Sequence, residues 1–330
     1  MARAAVLAGL SAYLPPRVVP NAHFADLRLS DEWISTRTGI SERRWVQGQS
    51  TSDISVEAGA EALKSYGSDD IDLVILATQS PDHFAPSSAP AVASRLGLGG
   101  VPAFDLAAAC SGFLYGLATA SSLIRTGQAE RILFIAAETA SLYLNPKDRN
   151  TAPIFADGAG AVVLRAGEDD EPGSLGGFDL GSDGDLAHLV LVPGGGSRAR
   201  ADGWALDDRA HLVMQGRELF VNAVTRMSES STKVLEEAGW KPDEVDLVVG
   251  HQANRRILEA VGHELGIEPE RMYINIDHTG NTVAATIPIA LTEAVREGAL
   301  RPGHRVLLTA FGAGATWGST LLRWPEISLA

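Results

Sequence analysis

The sequence predicts an α/β protein made of two similar halves, stacked as five layers, α/β/α/β/α, with an internal pseudo-twofold repeat. Three observations predict it. Segments of the first half recur in the second at near-constant spacing. The apolar strands run unbroken instead of alternating, as in sheets covered on both faces. One helix is apolar all round and therefore belongs in the interior. The chain has 330 residues, a length for about two domains. Its 45% hydrophobic and 21% charged content is ordinary globular usage and excludes a disordered, collagen-like or coiled-coil chain as the main state.

The elements follow in order. Residues 1–10 are apolar but short and lead to Pro15-Pro16, so they read as a first strand and not a secretory leader. A helical stretch over roughly residues 55–66 precedes Ser68-Asp-Asp-Ile-Asp-Leu-Val-Ile-Leu-Ala77, which ends as a strand. Its counterpart, Pro242-Asp-Glu-Val-Asp-Leu-Val-Val-Gly-His251, follows a helical stretch over 219–238, and Ile71 matches Val245 at an offset of 174. Next, Ala107-Ala-Ala-Cys110-Ser-Gly-Phe opens a helix crowded with small residues (Gly112, Gly116, Ala118, Ala120) and free of charge before Arg125. It stops at Gly127, ahead of a strand over 132–137. Its counterpart starts at His278-Thr-Gly-Asn281-Thr, stops at Gly298 and leads to a strand over 306–310; aligning the two glycines, 171 residues apart, sets Cys110 on Asn281. Gly158-Ala-Gly-Ala and Gly312-Ala-Gly-Ala are both glycine turns running into strands. The charged Glu168-Asp-Asp-Glu-Pro-Gly173 is the boundary, giving an N-terminal half over 1–167 and a C-terminal half over 168–330.

Charge and cysteine content limit the function. With 27 basic and 41 acidic residues the net charge is −14, so nucleic acid is not expected as a partner, although a small basic pocket remains compatible. No apolar run approaches the ~20 residues of a membrane span. A single cysteine excludes an internal disulfide framework and a Cys-cluster metal site, and a cytoplasmic protein is expected. His83, His188, His211 and His263 lack ligand spacing, so no metal is expected. Gly194-Gly-Gly196 lacks the Lys-Ser/Thr context of a phosphate cradle.

Three residues carry candidate chemistry. Cys110 falls at a strand-to-helix junction, where backbone N–H groups favour a thiolate and can hold an oxyanion. A lone Cys in an apolar segment is also commonly a packed small hydrophobe. His251 ends an apolar strand, the edge at which open α/β sheets bind ligands; a loop histidine capping the next helix is the plainer reading. With Asn281 these make a thiol-acyl site: sulfur attacks, imidazole handles protons or polarises a carbonyl, and the amide donates a second hydrogen bond.

Those residues, in the runs Ala107-Ala-Ala-Cys110-Ser-Gly-Phe, Gly250-His-Gln-Ala-Asn254 and His278-Thr-Gly-Asn281-Thr, resemble β-ketoacyl-acyl-carrier-protein synthase III, a family of thiolase-fold condensing enzymes. The resemblance spans the chain, through Asp31-Glu-Trp-Ile-Ser-Thr-Arg-Thr-Gly-Ile40, Phe155-Ala-Asp-Gly-Ala-Gly160 and Phe311-Gly-Ala-Gly-Ala-Thr-Trp-Gly318. It implies a thiolase-like double domain in which Cys110 takes an acyl group from acyl-CoA. His251 and Asn281 then bind a malonyl thioester and stabilise the enolate formed on loss of CO2, with the N–H groups of Cys110 and Ala313 as oxyanion hole. No cofactor is implied. Trp33, Arg37, Arg149, Met214, Gly216, Phe220 and Asn254 fall where the family binds CoA. Arg255 and Arg256 fall where it docks acyl carrier protein, but Val221, His263 and Glu264 stand at positions commonly basic there. A homodimer is implied, in which Phe84 and Ala85 floor the partner's acyl pocket; the small Ala85 predicts room for longer or branched acyl groups.

Two other readings use the same residues. An acyltransferase on this fold would pass the acyl group from Cys110 to oxygen or nitrogen without condensation; Asn281 argues against it, because simple transfer needs no enolate site. A non-catalytic partner subunit would not need Cys110, His251 and Asn281 together.

Overall fold

The computed structural model describes residues 3–205 and 209–330, so Met1 and Ala2 of the expected first strand lie outside the described residues. The first half contains β1 (Arg3–Tyr13), β2 (Arg17–Pro20), α1 (Asp31–Thr38), β3 (Glu42–Trp45), α2 (Thr51–Tyr66), β4 (Leu73–Ala77), α3 (Ala89–Arg95), β5 (Ala103–Leu106), α4 (Gly112–Arg125), β6 (Arg131–Thr139) and β7 (Asp157–Glu168). The second contains β8 (Leu175–Ser182), β9 (Val190–Leu191), α5 (Ser197–Ala201), β10 (Val213–Met214), α6 (Gly216–Ala238), β11 (Leu247–Gly250), α7 (Arg255–Leu265), α8 (Ile276–Thr279), α9 (Thr286–Arg296), β12 (Arg305–Gly312) and β13 (Thr316–Arg323). Helix α2 begins four residues before the expected stretch because Ser50 and Asp53 form a capping box at Thr51.

The main sheets have the orders β1-β7-β6-β4-β5 and β8-β13-β12-β11, one a repeat of the other. In the second, the place of β5 is held by a single parallel bridge from Val248 to Met272. Registers repeat as well: Leu73 faces Ile132 and Leu247 faces Val306, each member 174 residues on.

Unbroken apolar strands follow from the layering. Leu73, Ile75 and Ala77 face the central layer, while Val74 and Leu76 face the outer layer under α2. Helices α4 and α9 lie between the sheets, α2 and α3 cover the first, and α6 and α7 cover the second. This is the five-layered thiolase-like architecture. Small residues let the central helix sit close: a Cβ on Gly116 would lie 2.0 Å from the Phe134 ring.

The repeat register changes at the site. Short 3-10 turns, Ala109–Ser111 and Val283–Ala285, lead into α4 and α9 at an offset of 174. Both begin on a left-handed residue, Ala109 at φ 47° and Val283 at φ 53°. Because α4 has 14 residues and α9 only 11, the offset falls to 171 at the closing glycines. Cys110 therefore corresponds to Ala284, and Asn281 reaches the site from the segment before its turn. Aligning on the helix ends misplaced this pair.

Candidate active site

A cavity of about 750 Å³ opens between the halves, and Cys110, His251, Asn281 and Ala313 line it. Each arrives from the end of an element. Cys110 sits in the turn ahead of α4, His251 directly follows β11, Asn281 precedes α9, and Ala313 follows β12.

Close backbone approach sets the position of Cys110. A Cβ on Gly312 would lie 2.8 Å from Cys110 N and 3.2 Å from Cys110 Cβ, so only glycine lets β12 pass there. The Ala313 N–H meets the Cys110 sulfur. Behind the cysteine, the Gln79 amide oxygen accepts from Ala108 N at 3.3 Å and Ala109 N at 2.8 Å, bracing the left-handed turn. Gln79 N in turn donates to the buried Glu138 carboxyl, which also accepts from Ser80 Oγ at 2.7 Å.

The protonation states differ from the sequence expectation of a lowered thiol pKa. The sulfur opens onto the cavity but is otherwise enclosed by protein, and burial pushes its thiol up to about 12. The nearby Glu138 charge adds to the rise, while the Ala313 N–H pulls the other way. The 3-10 turn explains part of this, since the Ser111 N–H is already spent on Ala108 O at 3.1 Å. Burial likewise pushes Glu138 up to about 7 and lowers His251 to about 3, so the imidazole is neutral at any working pH.

Both partners of the cysteine are held. His251 N donates to Thr309 O at 2.9 Å, and its Nδ1 lies 2.7 Å from Thr286 Oγ1. Asn281 is fixed on both sides of its backbone, N to Ile154 O at 3.0 Å and O from Ala156 N at 2.8 Å. Its Oδ1 accepts from Val283 N at 2.9 Å, which leaves the amide N–H groups for the cavity.

Toward solvent the lining becomes basic. Arg37, Arg149, Arg217 and Arg256 are exposed and line the cavity, and no carboxylate among the described residues does. The guanidinium carbons of Arg37 and Arg149 lie 4.4 and 5.9 Å from the Trp33 ring. Met214, Gly216, Phe220 and Asn254 line the same space. The Asn254 side chain caps α7 and donates to Arg37 O at 2.9 Å, so it also ties α1 to α7.

Three expected residues stand outside. Arg255 packs its side chain against Gly39, and Phe84, 83% exposed, and Ala85 lie on a surface loop away from this cavity. Sequence reasoning missed Arg217, Thr286, Glu138 and Gln79. Arg217 had a signal, as it sits between two residues already singled out. The others act through contacts distant in sequence.

A cysteine, a neutral imidazole and a free amide at the floor of a basic-mouthed cavity, on two thiolase-like halves, fit the acyltransferase class. Residues 104–184 match the 3-oxoacyl-[acyl-carrier-protein (ACP)] synthase III family, and residues 235–324 match its C-terminal region. A β-ketoacyl-[acyl-carrier-protein] synthase III from Streptomyces coelicolor is 54% identical, covering 99% of both chains. The crystal structure of 3-oxoacyl-(acyl carrier protein) synthase III from Pseudomonas aeruginosa superposes with a TM-score of 0.94 at 47% identity, covering 98% of this chain and 99% of that one. The priming β-ketosynthase of the R1128 polyketide pathway gives 0.91 at 30%, covering 99% and 98%. The chain belongs to the β-ketoacyl-acyl-carrier-protein synthase III family.

Proposed function

We propose that this enzyme starts acyl chains by two reactions at Cys110, a fatty acid or polyketide initiation step. In the first, the sulfur attacks the thioester carbon of an acyl-CoA; the new C–S bond forms, the CoA thiolate leaves, and the cysteine proton ends on CoA. In the second, a malonyl group on acyl carrier protein loses its carboxylate as CO2, and the freed electron pair becomes an enolate. The enolate carbon attacks the acyl-cysteine, the bond to Cys110 breaks, and the released thiolate takes a proton from solvent.

The observation that carries this reading is the cavity, with four arginines and Trp33 at its solvent end and Cys110, His251 and Asn281 at its buried end. Arginines suit CoA phosphates and Trp33 offers a face to adenine. Neutral donors from His251 and Asn281 suit an oxygen that gains charge only as CO2 leaves. The N–H groups of Cys110 and Ala313 suit the tetrahedral oxyanion. Reaction on these groups needs no resident cofactor.

Arg256 at the mouth, with Arg255 behind it, is assigned to the acidic carrier protein. Val221, 59% exposed, and the exposed His263 and Glu264 reduce the positive rim there, favouring a specialised carrier. The exposed Phe84 is assigned to a homodimer contact in which Phe84 and Ala85 reach the partner's acyl pocket. The cytoplasm, where CoA thioesters are made, is the proposed location. No helix among the described residues is long and apolar enough to cross a membrane.

The test is intact mass after exposure to a panel of acyl-CoAs, with Cys110→Ala alongside, followed by malonyl-loaded carrier protein. A mass gain confined to the native protein, cleared with CO2 release, is expected. A gain that malonyl cannot clear refutes condensation and leaves transfer to another acceptor. No gain from any acyl-CoA refutes the CoA assignments.

A further inference from the structure

Neutral imidazole has two tautomers, and only one of them can serve a developing oxyanion. At His251 the choice falls to one side chain. Thr286, the first residue of α9, is 2% exposed, and its Oγ1 lies 2.7 Å from His251 Nδ1. The same hydroxyl lies 3.1 Å from Val283 O. One hydroxyl has one proton, so these two acceptors compete for it. Val283 O does not need it, because the backbone N–H of Thr286 already donates there. The contact to Nδ1 is also the shorter one. Donation to Nδ1 places the ring's own hydrogen on Nε2.

We propose that Thr286 is a positioning residue that donates its hydroxyl proton to His251 Nδ1, so that the Nε2–H and the Asn281 amide together donate to the malonyl thioester oxygen. This rests on the condensation reading above. It separates the two half-reactions. Acyl transfer to Cys110 uses the Cys110 and Ala313 N–H groups and is indifferent to the tautomer. Decarboxylation needs the Nε2–H. A second consequence concerns the repeat: α4 and α9 are equivalent helices, one carrying the nucleophile in its leading turn and the other orienting the histidine from its first residue.

The experiment uses the full-length protein labelled with 15N-histidine, with His251→Gln identifying the His251 signals among the eight histidines. The native ring is expected to be protonated on Nε2. Thr286→Val keeps the shape and the backbone N–H but removes the hydroxyl. It is expected to mix the tautomers and slow condensation by about 10–100-fold, the range for losing one buried hydrogen bond. Cys110 acylation, followed by intact mass, should stay within about threefold. Thr286→Ser should restore the native spectrum and rate. A native ring protonated on Nδ1 overturns the proposal, as does a Val variant that condenses normally. If the Val variant does not fold, the native spectrum and the Ser variant decide. Absence of malonyl decarboxylation by the native enzyme would sink the condensation reading instead, and the tautomer would still be read from the spectrum.

Discussion

Gly312→Ala tests how the site is assembled. Gly312 is not in a left-handed conformation, so alanine strains nothing by its backbone angles alone. The effect is steric: the new methyl carbon would lie 2.8 Å from Cys110 N, 2.9 Å from Ser111 N and 3.2 Å from Cys110 Cβ. All three belong to the nucleophile turn, and none is the end of a flexible side chain. Restoring ordinary contact near 3.4 Å moves the end of β12 and the turn apart by about 0.6 Å. That gap lies between the two N–H groups assigned to the oxyanion. Overpacking of this kind costs about 1–3 kcal/mol of stability, and misplacing one oxyanion donor costs about 10²–10³ in rate. The assay is the pre-steady-state rate of Cys110 acylation, with thermal unfolding measured in parallel. Gly99→Ala is the control, because a Cβ there meets nothing within 4 Å. A Gly312→Ala enzyme that folds and acylates within threefold of native would refute the argument that the Cys110 and Ala313 N–H groups act as a spaced pair.

Four further outcomes follow from the buried and charged groups. Cys110, its thiol pushed up to about 12, should react with iodoacetamide at a rate that keeps rising with pH to at least pH 9; a plateau near pH 7 would show a preformed thiolate. Glu138→Gln removes a neighbouring negative charge and should speed that alkylation at pH 8, where native Glu138, with its pKa about 7, is ionised. His278, held between Asp277 and Glu293, is raised from 6.5 to about 10, so the folded state binds its proton more tightly; this stability is fully present below about pH 6.5 and lost as pH rises through 10. Because the side chain is 41% exposed, the effect after solvent screening is about 1 kcal/mol or less, and His278→Gln should flatten the denaturation midpoint across that window. Arg43→Leu leaves Val19 O, Asn21 Oδ1 and Pro153 O without their buried donor, so chemical denaturation should show a loss of about 1–3 kcal/mol; a loss under about 0.5 would refute the structural role given to this guanidinium.

Much of the architecture was legible because its signals are local. Five consecutive apolar residues at Leu73–Ala77 report a strand covered on both faces, and the glycines and alanines after Cys110 report a helix with no polar side. The repeat was legible in the strands, where the offset holds at 174. It misled at Asn281 because α9 is three residues shorter than α4, and a helix length cannot be read from its closing glycine. That Cys110 and His251 stand at the ends of elements was legible. Their protonation was not, because Glu138 lies 28 residues from Cys110 and Thr286 lies 35 residues from His251 in sequence. Only the pairing of β4 with β6 and the packing of α9 under β11 bring those groups together.

The distribution of charge bears on how the reaction is driven. The floor holds a thiol, an imidazole and an amide, all neutral, while the cations stand at the solvent end. A preformed thiolate or imidazolium at the floor would stabilise charges in the resting enzyme as much as in the transition state, and binding both equally does not raise the rate. Neutral dipoles held by Gly312, Val283 N and Thr286 Oγ1 favour charge only where and when it appears. The arginines at the mouth are assigned to binding and encounter. Neutralising Arg37 or Arg149 should raise KM for acyl-CoA with little change in kcat, whereas Asn281→Ala should lower kcat for condensation while Cys110 still becomes acylated. If an arginine variant instead lost kcat alone, charge at the mouth would have to reach the reacting atoms, and the separation of a neutral floor from a charged rim would be wrong.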